Sequence, residues 1–108
     1  MRIWITHQFP AYHKWKDAPD EVEFLRSMHR HMFKIKLMID VYNDNRELEL
    51  FIVQRKLKTY CEEEFEEDED IGSCEMIGNK IKKQFEEIYP GRMINVEVSE
   101  DGENGVIV

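Results

Sequence analysis

The chain has 108 residues, of which 42% are hydrophobic and 35% are charged, and its formal net charge is -8 at pH 7. This length suits one domain, and this composition is typical of a soluble globular protein. A negative field repels phosphate backbones, and the basic residues are scattered among acidic ones, so we expect no nucleic-acid partner. No apolar run is long enough to span a bilayer and no signal segment is recognised. We therefore expect no membrane partner and a cytoplasmic location.

The first strand is predicted over Arg2 to Phe9, where Ile3 and Ile5 begin an alternation of apolar and other side chains. Pro10 is expected to end this strand or to place it at a sheet edge, because proline has no amide hydrogen. Residues 11 to 28 are expected to be irregular, apart from a turn at 17–20 and a short helix over 21–28.

The second strand is predicted over His31 to Tyr42, with its apolar side chains at alternate positions. Phe33 begins this apolar set, which ends at Val41. Because side chains two residues apart share a face, His29 and His31 belong on the Phe33 side.

Two helices follow in the sequence. The segment from Leu48 to Glu64 predicts an extended entry and then a helix, with an imperfect apolar stripe formed by Phe51, Leu57, Tyr60 and Cys61. The acidic run from Glu62 to Asp70 is expected to be a solvated connector, because it lacks the ligand spacing and glycine of a calcium loop. Ser73 is a predicted N-cap for the second helix, in which Ile77, Ile81, Phe85 and Ile88 form the apolar stripe.

Two further strands are predicted after this helix, over Met93 to Glu100 and Val106 to Val108, with a turn at 102–105. The order is therefore strand, strand, helix, helix, strand, strand. Such an order favours an α+β fold, ββααββ, in which two helices pack on one face of a four-stranded antiparallel sheet.

Three of the four histidines suggest a metal site. His29 and His31 share a strand face, and His13 follows the first strand-like run. Three neutral imidazoles with an open fourth position are a ligand set that catalytic zinc favours. The alternative is that these are ordinary surface or half-buried histidines. Cys61 and Cys74 have no zinc-ribbon or Cys-x-x-Cys spacing, so we expect free thiols and no sulfur-ligated metal.

Four segments, taken in order, resemble the family of 6-pyruvoyltetrahydropterin and 6-carboxytetrahydropterin synthases. Phe9-Pro10-Ala11-Tyr12-His13 resembles the family's Phe-x-x-x-His, and His29-Arg30-His31 resembles its His-Gly-His motif. Ser73-Cys74-Glu75 is similar to its Thr-x-Glu segment, and residues 96–100 are similar to its closing strand. The resemblance covers nearly the whole chain and implies the tunnelling fold (T-fold).

The resemblance also implies a function. Zinc would be bound by His13, His29 and His31, and Glu100 would hold a pterin or guanine-like ring. In relatives the residues matching Ser73, Cys74 and Glu75 line the same pocket. Such pockets form between subunits, so the resemblance implies a homo-oligomer. The alternative for Glu100 is an ordinary acidic residue at a turn.

The chain departs from the family pattern at the residues that carry proton transfer. The lyases have a cysteine four residues before the first histidine of His-Gly-His, where this chain has Leu25. Their Asp-His relay between the helices is replaced by the acidic run, and their helix aspartate by Val53. Arg30 replaces the central glycine. Glu21 and Glu23 are nearby acids, but neither stands at the matching position.

These departures leave two main hypotheses. The first is a zinc-bound protein that captures a pterin or guanine-like molecule without the standard lyase reaction. The second is an active zinc-dependent lyase or hydrolase of pterin or 7-deazaguanine (queuosine-type) metabolism. Short relatives without the cysteine also resemble proteins of bacterial viruses, so sequestration of a host nucleotide signal is a variant of the first. A third hypothesis is an oligomeric scaffold in which the histidines have no function.

Overall fold

The computed structural model describes residues 1–108 and contains four strands and two α-helices, in the predicted order ββααββ. The elements are β1 (Arg2–His13), β2 (His29–Asp40), α1 (Leu50–Glu64), α2 (Cys74–Ile88), β3 (Ile94–Glu100) and β4 (Asn104–Ile107). The strands form one antiparallel sheet in the order β1-β2-β3-β4. The predicted α+β class is confirmed.

One face of the sheet carries the core. The register places Ile5 opposite Leu37, and Leu37 opposite Val96, so three strands turn apolar side chains to the same side. All three side chains are buried. Side chains at the intervening positions, such as the exposed Trp4, lie on the other face, which neither helix covers. The alternation predicted for β2 is confirmed, including the placement of both histidines on the covered face.

The helices cover the core face with narrow apolar stripes. Ile77, Ile81 and Phe85 of α2 are fully buried, as their spacing predicts. In α1 the buried residues are Val53, Leu57 and Cys61. The prediction that Phe51 belongs to this stripe is wrong, since its side chain is 68% exposed. Val53, Leu57 and Cys61 recur every four residues and therefore lie on one face of α1. Phe51 lies on a different face, although its side chain is larger.

The first strand is longer than predicted. β1 continues through Pro10, which pairs with Met32, and ends at His13. Because β1 has a partner on one side only, proline is tolerated within it, which agrees with the predicted edge position. This extension brings His13 into the sheet, so the ligand candidates lie on two paired strands and not on a loop.

The segment between β1 and β2 differs from the short helix predicted for residues 21–28. It forms a 3-10 segment over Asp20–Arg26, interrupted by the non-helical backbone of Val22, and buries none of its residues fully. The Arg26 guanidinium donates to the Ala18 carbonyl (2.7 Å) and to Asp20 (2.7 Å). These two local bonds connect the end of the segment to its beginning.

The acidic run is partly helical. α1 extends to Glu64, and Phe65 follows as a buried anchor among exposed acids, so the connector proper is residues 66–73. The Ser73 hydroxyl accepts from the Met76 amide (3.2 Å), which confirms the predicted N-cap. β4 begins at Asn104, two residues earlier than predicted. Neither helix has the length and apolar character that a membrane crossing requires.

Candidate metal centre

The register of the β1–β2 hairpin brings the three predicted ligands together. His13 lies directly opposite His29, and Ala11 lies opposite His31. All three histidines are on the face that the helices cover. They lie at the end of the sheet beyond Phe33, where β2 does not pair with β3. Directly opposed side chains are the closest pairs of an antiparallel sheet, so the pairing itself places the imidazoles in contact.

The three rings form a compact cluster. Their centroids are 4.4 Å apart for His13 and His29, 5.0 Å for His29 and His31, and 5.2 Å for His13 and His31. One ligand atom from each ring lies within 4.8 Å of the other two. Phe33 closes the inner side, with its ring 5.2 Å from that of His13, and His13 itself is only 8% exposed.

Hydrogen bonds fix the same tautomer in each ring. Nδ1 of His13 donates to the Gly72 carbonyl (2.9 Å), and Nδ1 of His29 donates to the Ser27 carbonyl (2.8 Å). Nδ1 of His31 donates to Asp101 (2.7 Å). Carbonyl and carboxylate oxygens only accept, so Nδ1 carries the proton, and Nε2 of a neutral ring presents a lone pair.

The Nε2 atoms have no hydrogen-bond partners. All three are buried and unpaired, although buried polar atoms are normally satisfied, and Nε2 of His7 is in the same state, so the closeness of the three rings is what distinguishes the cluster. Nitrogens about 2.0–2.1 Å from zinc at tetrahedral angles lie about 3.3 Å apart, so small ring rotations would bring this cluster onto one ion. Metal-ligating histidines usually donate the N–H of their other ring nitrogen to a carbonyl or carboxylate oxygen, as these three histidines do through Nδ1. The three histidines could therefore hold a metal ion.

Glu100 reaches the cluster from β3, where it pairs with Phe33. Its carboxylate oxygens lie 3.0 Å from Nε2 of His31 and 3.8 Å from Nε2 of His13, without an aligned hydrogen bond. A lone pair facing a carboxylate at 3.0 Å is repulsive unless a cation or a proton lies between them. The contact therefore calls for either a proton on Nε2 of His31 or a cation shared with Glu100.

The predicted pocket segment at the start of α2 lies beside this carboxylate. The Cys74 thiol is 3.7 Å from Glu100, and burial together with the negative charge of Glu100 raises the pKa of Cys74 to about 12. The Ser73 hydroxyl is occupied by capping, and Glu75 is exposed in the first helical turn. Of these three side chains, only Cys74 contacts Glu100, the carboxylate that lies beside the cluster.

No acid or base reaches the cluster from the positions at which the chain differs from the pterin synthase motifs. Arg30 is exposed and, by strand alternation, lies on the face opposite the histidines. Leu25 is half-buried in the 3-10 segment, and Glu21 and Glu23 are exposed there.

Burial raises the pKa of Cys61 to about 12, so this thiol is protonated at neutral pH and is a poor nucleophile.

The sequence predictions missed the groups behind the rings. Asp101 and the carbonyls of Ser27 and Gly72 hold Nδ1 of the three histidines. Two of these acceptors are backbone atoms, which no side-chain pattern reveals. Asp101 follows Glu100 at a turn. Aspartate is common in turns because its side chain bonds to the nearby backbone, so the sequence alone does not indicate a role at the metal site. The connector before α2 contributes through Gly72, whose backbone has a φ of +86°.

The fourth histidine lies outside the cluster. His7 is on the same face of β1, six residues before His13 and therefore about 20 Å away along the strand. Its ring stacks on Phe9, with a centroid distance of 5.9 Å, and desolvation by burial lowers its pKa. His7 is thus a structural neighbour of the core and a useful control for the metal ligands.

No protein-family model matches the chain, and no curated protein matches it significantly. The resemblance to the pterin synthases therefore stays a prediction carried by the motifs, and the functional argument rests on the geometry of the cluster.

Proposed function

We propose that this protein binds zinc through His13, His29 and His31, and holds a pterin or guanine-like small molecule beside them at Glu100. One observation carries the proposal: each histidine brings a ligand nitrogen within 4.8 Å of the other two, and its Nε2 is buried without a partner while its Nδ1 is held by an acceptor. Bound zinc would supply Lewis acidity toward oxygen atoms of the ligand.

Glu100 is the proposed polar contact for the small molecule. Its carboxylate lies beside the histidine cluster, where it contacts His13, His31 and Cys74. A carboxylate accepts two hydrogen bonds from a ring N–H and an adjacent exocyclic amine, the pair that a pterin or guanine edge presents. Glu75, exposed on the first turn of α2, is the second carboxylate proposed for the pocket.

Capture without the standard lyase reaction is the favoured form of this function. The family's cysteine position is Leu25, and the two thiols of the chain both have a pKa raised to about 12. General acid–base catalysis needs a group that titrates near the working pH. The chain therefore has a complete ligand set for a metal but lacks the proton-transfer set of the lyases.

An active zinc-dependent lyase or hydrolase is the second candidate. The observation that favours it is the position of Glu100, 3.0 Å from Nε2 of His31. A carboxylate next to a metal position can serve as a general base without the family's cysteine. This role and ligand capture differ in a measurable way, because only the enzyme releases a product.

A homo-oligomer is part of the proposal. β1 and β4 each pair on one side only, so each leaves a free edge that another copy can extend. The uncovered face of the sheet exposes Trp4 and Tyr12, at 59% and 49%. Light scattering after size exclusion tests this point: a mass of a single chain at micromolar concentration would contradict it.

Calorimetric titration of the zinc-loaded protein tests the ligand. Neopterin, guanine nucleotides and 7-deazaguanines are titrated beside adenine nucleotides, which lack the matching edge. We expect binding of at least one guanine-like compound, weakened by Glu100→Gln by about tenfold or more, as loss of a charged hydrogen bond predicts. Glu97→Gln is the matched control, because Glu97 lies on the opposite face of the same strand.

The outcomes separate the candidates. Binding without product supports capture. Turnover of a pterin triphosphate by the wild type, lost in His31→Ala, establishes the enzyme and overturns capture. If none of these compounds binds to zinc-loaded protein, the pterin or guanine-like ligand is excluded.

A further inference from the structure

Asp101 uses both of its carboxylate oxygens near the cluster. Oδ2 accepts from Nδ1 of His31 (2.7 Å), and Oδ1 accepts from the backbone amide of Met32 (2.9 Å). The residue lies in the turn that joins β3 to β4. One side chain therefore connects this turn to a predicted metal ligand and to the strand that carries it.

The backbone of Asp101 holds this carboxylate in place. The ladder between β2 and β3 ends at the pair formed by Phe33 and Glu100. Beyond this pair, the Asp101 amide donates to the Met32 carbonyl (2.8 Å). The Met32 amide donates to the Asp101 carboxylate, where a backbone carbonyl of β3 would otherwise accept. Asp101 has a φ of +58°, a conformation that aspartate, asparagine and glycine tolerate better than other residues.

His31 differs from the other two histidines in the charge of its acceptor. His13 and His29 donate to neutral carbonyls, whereas His31 donates to a carboxylate. An anionic acceptor on Nδ1 fixes the tautomer and orients the ring. The bond also opposes rotation of the ring toward Glu100, whose oxygen lies 3.0 Å from Nε2.

We propose that Asp101 is a positioning residue that presents Nε2 of His31 to the metal and thereby sets the affinity of the site. This inference rests on the proposed zinc site and adds a residue that the sequence motifs do not include. Outer-shell partners of ligating histidines typically contribute about 10–100-fold in metal affinity. We expect an effect of this size from the loss of the Asp101 carboxylate.

Two substitutions remove the carboxylate without imposing backbone strain. Asp101→Asn keeps the shape but replaces one acceptor oxygen with a donor, and Asp101→Gly removes the side chain where φ is positive. Glu103→Gln is the matched control, because this exposed acid lies in the same turn and has no side-chain hydrogen bond. The control measures the effect of one lost negative charge near the site.

Zinc affinity is measured by competition with a chromogenic chelator, and His31 is followed in metal-free protein by ¹H–¹⁵N NMR of its ring. We expect both Asp101 variants to bind zinc about 10–100-fold more weakly than wild type, with Glu103→Gln within about twofold. The His31 ring should carry a proton on Nδ1 in metal-free wild type and populate the tautomer protonated on Nε2 alone in the variants. A purely structural role would leave that ring signature unchanged.

The outcomes distinguish this inference from the proposal on which it rests. If wild type binds no zinc, the metal site and the role of Asp101 fail together. If wild type binds zinc and the Asp101 variants match it in affinity, the zinc site stands and the positioning role is refuted. Weaker zinc binding with an unchanged His31 tautomer also refutes it, because the effect would then not pass through the ring.

Discussion

His13 and His29 occupy directly opposed positions of β1 and β2, and their ring centroids are 4.4 Å apart. The two strands of one hairpin therefore supply the whole predicted ligand set, since His31 lies two residues further along β2. An ion held there would link the ends of both strands. Groups distant in sequence, such as Glu100 and Asp101, support the cluster from β3 and the turn after it.

Zinc is expected to stabilise the fold. A ligand that binds only the folded chain adds about 2.7 kcal/mol at a free concentration of 100 times its dissociation constant. The midpoint of thermal unfolding should therefore rise on addition of zinc and fall on addition of a chelator. His13→Ala should abolish this response. An equal response in wild type and variant would place the bound zinc elsewhere.

The thiols of Cys61 and Cys74 are expected to be unreactive in the folded protein. Burial raises the pKa of both to about 12, so little thiolate exists at about pH 8. A colorimetric disulfide reagent should modify both cysteines slowly under native conditions and rapidly in denaturant. Cys74→Ser separates the two rates. Fast native modification of Cys74 would show that the thiol beside Glu100 is activated.

Leu57 anchors α1 in the core. Its side chain is fully buried, whereas Leu50 on the same helix is 48% exposed. Leu57→Ala should lower the free energy of unfolding by about 2–5 kcal/mol through lost burial and a cavity. Leu50→Ala, the same chemical change, should cost much less. Urea denaturation of both variants measures the difference, and equal losses would contradict the assigned face of α1.

The pair formed by Glu47 and Arg92 is expected to make stability pH-dependent. The hydrogen bond from Arg92, with help from the amides of Asn43 and Tyr42, lowers the pKa of Glu47. A carboxyl with a lower pKa in the folded chain stabilises the fold at neutral pH and loses that contribution as the pH falls through its folded pKa. Glu47→Gln should therefore be destabilising near neutral pH and almost neutral in strong acid.

The measurement for this pair is urea denaturation of metal-free protein at about pH 7 and about pH 3. The difference between wild type and Glu47→Gln should shrink at the lower pH. Glu86→Gln is the control, because Glu86 is exposed on α2 and its side chain has no hydrogen bond. A difference that is the same at both pH values would show that Glu47 acts through packing alone.

The sequence predicted the fold where side-chain alternation was regular. The β2 pattern placed Phe33, both histidines and the core on one face, and the α2 spacing identified Ile77 to Phe85 as its buried stripe. Errors arose where local rules compete with tertiary context. Pro10 is a breaker in isolation but is tolerated in an edge strand, and Phe51 is a large apolar residue that the rotation of α1 leaves exposed.

Part of the candidate site was also predictable from strand alternation. Strand alternation placed His29 and His31 together, but the position of His13 depended on the register of the hairpin, which no local pattern specifies. The closeness of Glu100 to Nε2 of His31 depends on the pairing of β3 with β2. Such long-range relationships come from the packed sheet, so the carbonyl acceptors and Asp101 became visible only in three dimensions.

The central claim is that His13, His29 and His31 bind a metal ion, and metal content tests it most directly. Untagged protein is purified without chelator and analysed by mass spectrometry, beside His31→Ala and the control His7→Gln. We expect about one zinc ion per subunit in wild type and in His7→Gln, and almost none in His31→Ala. Wild-type protein without stoichiometric metal, or His31→Ala with full metal content, would contradict the claim.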